Sequence, residues 1–94
     1  MNLEKLEESF KRACSNLDIK EMVKKAVIYA EACQQKRKYD SAISRLKKLL
    51  SKVDKDKGHK AIVLTALGTA YWEKAQLKKA LRNFEEALQL FREM

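Results

Sequence analysis

Apolar residues recur at steps of three and four along almost the whole chain, with charge filling the positions between, a period that belongs to helices with one buried stripe. Leu3, Leu6, Phe10, Ala13 and Leu17 form the first stripe, while Glu7 with Lys11 and Glu8 with Arg12 lie one turn apart on the outer face. Asp18 followed by Glu21 has the spacing of a capping box and predicts a second helix, with Met22, Val23, Ala26, Tyr29, Ala30 and Cys33 turned inward. The polar run from Gln34 to Lys38 ends it. A third helix is expected from near Asp40, burying Ala42, Ile43, Leu46, Leu49, Leu50 and Val53. Beyond a polar connector, Ser51 to Lys60, a fourth helix is predicted from about His59 to Lys74 and a fifth from about Leu77 to Phe91. Proline is absent and glycine occurs only at Gly58 and Gly68, so little interrupts these elements. The class is all-α with about five helices, in a single domain that spans residues 1–94.

Within the last two helices, Leu64, Leu67, Gly68, Tyr71, Ala80, Phe84 and Ala87 stand in an order and spacing that resembles a tetratricopeptide repeat. Helices two and three resemble a second, degenerate copy. With Ala42 set against Ala80, Ala26 falls opposite Leu64, Tyr29 opposite Leu67, Ala30 opposite Gly68, Cys33 opposite Tyr71, Leu46 opposite Phe84 and Leu49 opposite Ala87. The offset from Ala42 to Ala80 is four residues longer than the family's usual period, and the extra length is placed in the connector Ser51 to Lys60 or in a longer third helix. The division is an N-terminal helix over 1–17, a degenerate repeat over 19–53 and a well-matched repeat over 59–92. The resemblance implies antiparallel hairpins stacked as a short right-handed α-solenoid, with Gly68 and Ala80 where two helices approach closely.

The same resemblance implies a non-catalytic protein–protein interaction module, an adaptor or scaffold, because the motif specifies packing and holds no reacting group. In this family the first helix of each pair lines a concave groove. The positions that fall there are Lys24, Val27, Ile28, Glu31, Gln34 and Gln35 from the first repeat, and Ile62, Thr65, Ala66, Thr69, Trp72 and Glu73 from the second. The family's clamp for a C-terminal carboxylate needs a lysine and an asparagine, and here Val27 and Thr65 stand at the lysine place and Glu31 and Thr69 at the asparagine place. A chaperone-tail clamp is therefore not expected. Trp72, next to a core tyrosine, either offers its indole to a partner or packs against the following turn.

Charge adds a second surface. The chain carries a net +8, and residues 36–60 hold nearly all of it, ten basic residues against three acidic ones. The basic patch is Lys36, Arg37, Lys38, Arg45, Lys47, Lys48, Lys52, Lys55, Lys57 and Lys60. Such a field attracts acidic protein segments or phosphates, which makes a basic module binding nucleic acid or acidic tails the alternative function. Only Tyr39 interleaves with the run, and stacking readout of nucleic acid asks for more aromatic residues than that.

Chemistry is sparse. His59 is the sole histidine, Cys14 and Cys33 have neither metal-binding nor redox-pair spacing, and no glycine-rich phosphate loop or nucleophile motif occurs. No enzyme, metal or cofactor is expected, and both cysteines read as small buried hydrophobes. No apolar run reaches the length of a membrane span, and the first residues lack the form of a signal peptide, so a cytoplasmic protein with reduced thiols is expected. The last helix carries Leu81, Phe84, Leu88 and Phe91, an apolar surface that a second copy, a partner or further repeats would cover.

Overall fold

The computed structural model describes residues 3–8 and 19–94, and all its regular elements are helices. Residues 3–8 are helical (α1), followed by α2 at Ile19–Gln35, α3 at Tyr39–Lys52, α4 at Lys57–Glu73 and α5 at Leu77–Arg92. The readings made at Phe10, Lys11, Arg12, Ala13, Cys14, Leu17 and Asp18 lie outside the described residues.

Two hairpins stack. α2 packs on α3 and α4 on α5, and α4 is also seated against both helices of the first hairpin. That central position explains its composition: Ala61, Val63, Leu64, Leu67, Gly68, Ala70 and Tyr71 are all buried, which leaves no polar stripe. One core joins Met22, Val23 and Ala26 of α2 to Ile43, Leu46 and Leu49 of α3, to Val63, Leu67, Ala70 and Tyr71 of α4 and to Ala80 of α5. Each fully buried aliphatic side chain stabilises the fold by about 1.5–3 kcal/mol. A smaller cluster sets Leu3 and Leu6 of α1 against Tyr29, Cys33 and Ala42, and Glu7 of α1 forms an ion pair with Arg45 of α3.

Gly68 and Phe84 show why one glycine sits inside a helix. A Cβ added at Gly68 would lie 2.6 Å, 2.7 Å and 2.9 Å from three carbons of the Phe84 ring, well inside van der Waals contact. Ala80, one turn before Phe84, is buried in the same seam between α4 and α5.

Both hairpins turn in the same way. At the end of α2, Arg37 has φ 58°, Lys38 N–H donates to the Cys33 carbonyl at 2.8 Å and Arg37 N–H to the Gln34 carbonyl at 3.1 Å. At the end of α4, Ala75 has φ 63°, Gln76 N–H donates to the Tyr71 carbonyl at 2.8 Å and Ala75 N–H to the Trp72 carbonyl at 2.9 Å. Each is a Schellman cap, closed by a left-handed residue that is ordinarily glycine or asparagine. Side chains tie the same corners: Gln34 Nε2 donates to Glu73 Oε1 at 2.9 Å across α2 and α4, and Lys74 pairs with Asp40 across α4 and α3.

The connector between hairpins corrects the sequence reading. α3 stops at Lys52, α4 starts at Lys57, and only a four-residue bend separates them, with Val53 buried in it. The expected long loop or extended third helix is absent. Asp56 is the reason: its carboxylate accepts from His59 N–H at 3.1 Å and from the His59 ring at 2.8 Å, so helix begins two residues ahead of His59 and takes in Gly58.

Candidate functional site

Stacking α4 beside α2 leaves a groove between them. It forms a cavity of about 370 Å³ whose α2 wall is Val27, Ala30, Glu31 and Gln34, and whose α4 wall is Ile62, Thr65, Ala66, Thr69 and Ala70. Tyr39 and Ala42 of α3 close one side, and Phe91 reaches in from the end of α5. The walls are mainly apolar. Thr65 Oγ1 donates to the Ala61 carbonyl at 2.8 Å and Thr69 Oγ1 to the Thr65 carbonyl at 3.0 Å, so both hydroxyl protons are engaged inside their own helix. The two threonines thus present methyl groups and acceptor lone pairs rather than donors. Glu31 and Gln34 supply polar groups on the α2 side, with Gln34 held by Glu73.

Of the positions that the sequence assigned to the groove, the structure brings Val27, Glu31, Gln34, Ile62, Thr65, Ala66 and Thr69 together around this cavity. Glu73 lies at its end through Gln34. Lys24, Ile28, Gln35 and Trp72 do not line it. Trp72 is 60% exposed beside the cap at Ala75, on α4 but outside the cavity. Sequence reasoning missed Ala30, Tyr39, Ala42, Ala70 and Phe91 as walls: Tyr39, Ala42 and Phe91 come from the second helices, Ala30 was read only as core, and Ala70 was not singled out.

The basic run 36–60 is partly spoken for inside the fold. Arg45 pairs with Glu7, Lys57 Nζ lies 3.3 Å from Glu93, and Lys60 Nζ lies 2.9 Å from Asp54 and 3.8 Å from Glu86. Those carboxylates hold the Lys60 ammonium above its ordinary pKa, Asp54 most strongly. Lys47 and Lys79 stand over the Tyr71 ring at 5.8 Å and 5.6 Å. Lys36, Arg37, Lys38, Lys48, Lys52 and Lys55 are exposed. A second, polar hollow of about 350 Å³ lies between Glu7, Tyr29, Asp40, Ser41, Ser44, Arg45 and Lys48. Acid and base are mixed there.

Cys33 is a buried thiol whose pKa is raised by desolvation, which disfavours the reactive thiolate; Tyr29, in contact with it, is raised for the same reason. Among the described residues no group of three His, Cys, Asp or Glu side chains could hold a metal, and no helix is long and apolar enough to cross a membrane.

The surface expected at the last helix is altered in one member. Leu81, Leu88 and Phe91 are exposed and Leu77 joins them, but Phe84 is half-buried because its ring lies on Gly68. The family model described as Tetratricopeptide repeat matches residues 22–93, which takes in α2 from its fourth residue and all of α3, α4 and α5. A comparison with curated proteins returns no significant match, and neither does one with solved structures.

Proposed function

Because this chain belongs to the tetratricopeptide repeat family, whose repeats are in general protein–protein interaction modules, we propose that it is a non-catalytic adaptor that captures a peptide segment of a partner protein between α2 and α4. The observation that supports this reading is the groove itself: about 370 Å³, walled by Val27, Ile62, Ala66, Phe91 and the threonine methyls, with Glu31 and Gln34 as polar groups. A cavity of this kind suits one or two apolar side chains of an extended or helical segment. Val27 and Thr65 put no positive charge where a carboxylate clamp would need it, so the anchor is an internal apolar residue of the partner rather than a chain terminus. Residues 36–60 would add attraction toward acidic flanks, and Trp72 lies outside the part that binds.

Selection of displayed random peptides on the intact chain tests this, with affinities measured by fluorescence anisotropy. Thr65→Arg places a bulky charge in the groove at an exposed position and should weaken selected peptides at least tenfold, whereas Trp72→Ala should leave them unchanged. Binders indifferent to Thr65→Arg, or a selection that enriches none, would overturn the proposal. Affinity should also change only a few-fold with salt, whereas a ligand held through many phosphates would lose roughly a thousandfold or more.

A further inference from the structure

α5 carries two apolar faces. Ala80 and Ala87 point into the core, while Leu77, Leu81, Phe84, Leu88 and Phe91 follow one another at intervals of four, three, four and three, the spacing of a coiled-coil seam, with Phe84 half-buried where its ring lies on Gly68. Leu77, Leu81 and Leu88 keep half or more of their surface exposed, and no described helix lies over them. The flank of this seam nearer the core is taken by Ala80 and Ala87. Its outer flank carries Lys78, Glu85 and Arg92, one per heptad. Among the described residues neither Lys78 nor Glu85 makes an ion pair, although Lys57, Lys60, Glu86 and Glu93 nearby all do.

We infer that α5 pairs antiparallel with α5 of a second copy of this chain, and that charge selects both the direction and the register. In an antiparallel seam, outer-flank positions face one another across the two-fold axis. With Leu77 layered against the other copy's Leu88, and Leu81 against the part of its Phe84 that Gly68 leaves uncovered, Lys78 of each copy meets Glu85 of the other, which makes two attractive pairs. Sliding by one heptad layers Leu81 on Phe91 and sets Glu85 against Glu85 and Lys78 against Arg92, so every flanking pair repels. A parallel seam would place each flanking charge beside alanine. In the favoured register Phe91 stays outside the layers, so it remains in the wall of the groove.

Sedimentation velocity on the intact chain across the micromolar range tests this, with the mass of one chain being 10.9 kDa. Wild type should sediment at twice that mass, and Leu81→Glu, at an exposed position that leaves helical content unchanged, should sediment as one chain. Lys78→Glu and Glu85→Lys should each weaken association by about tenfold. The double variant K78E/E85K should restore it, and an equimolar mixture of the two single variants should pair preferentially with each other. A wild-type monomer throughout, a dimer insensitive to Leu81→Glu, or single-charge variants that the double variant fails to rescue would overturn the inference. Groove peptides should bind monomer and dimer alike, which keeps this result separate from the groove reading.

Discussion

Replacing Gly68 with alanine sets two opposed effects against each other in one site. Gly68 lies inside α4 at negative φ, so the backbone accepts alanine, and helix propensity favours the change by about 1 kcal/mol. Space opposes it. The new methyl carbon would stand 2.6 Å from the nearest Phe84 ring carbon, about 1 Å closer than a comfortable contact, so the ring must swing away from the seam. Overpacking of this kind costs about 1–3 kcal/mol, which gives a net loss of about 1 kcal/mol and a fall in Tm of roughly 4–8 °C for a domain of this size. Phe84→Ala removes a half-buried ring and should cost about 2 kcal/mol, leaving most of a total stability of roughly 5–14 kcal/mol. In that background the obstacle is gone, so Gly68→Ala should now stabilise by about 1 kcal/mol. The four proteins form a double-mutant cycle, read by urea unfolding with far-UV circular dichroism, and the expected coupling is about 2 kcal/mol. A Gly68→Ala change that stabilises wild type and the Phe84→Ala variant equally would show that ring contact is not what keeps glycine there.

Two further outcomes follow from the helix ends. Arg37→Gly and Ala75→Gly relieve left-handed backbone at non-glycine residues and should each raise stability by about 0.5–1 kcal/mol in the same assay, an effect absent for a glycine placed mid-helix at Thr69. Asp56→Ala should lower Tm while Asp56→Asn retains the cap. The bond from His59 N–H holds the Asp56 carboxyl below its ordinary range, so its contribution is present above the unfolded carboxyl pKa, near 4, and is lost as pH falls through the lower folded value. The Asn variant should lack that part of the acid limb in a Tm-versus-pH series.

Helix number and most core positions were legible because periodicity is a direct imprint of which face is buried. Leu46 and Leu49 were placed inside by spacing, Leu64 and Leu67 by their match to the repeat motif, and all four are fully buried. Boundaries were harder to read where a polar run hid a cap: Ser51 to Lys60 looks like loop by composition, yet Asp56 turns it into four residues of bend and a new helix. Left-handed caps at Arg37 and Ala75 left no trace because neither residue is glycine or asparagine; only their equal places in the two hairpins could have betrayed them. The groove was half legible. Positions on the first helices follow from the family resemblance and the repeat alignment, but Tyr39, Ala42 and Phe91 enter through the way one hairpin leans on the next, which no local pattern encodes. Phe84 was read in two ways, as a repeat-motif residue filling the space between paired helices and as part of the open surface with the exposed leucines; its ring takes the first place, in the room that the missing Cβ of Gly68 leaves.

The matched corners at Arg37 and Ala75 make the stretch between them a cassette. The backbone leaves the first helix of each hairpin along the same path, so a duplicated or deleted cassette would rejoin its neighbours without a change of angle. Tandem growth of such a molecule proceeds in whole steps, and an insertion that respects those two hinges is far better tolerated than a shorter one placed anywhere between them.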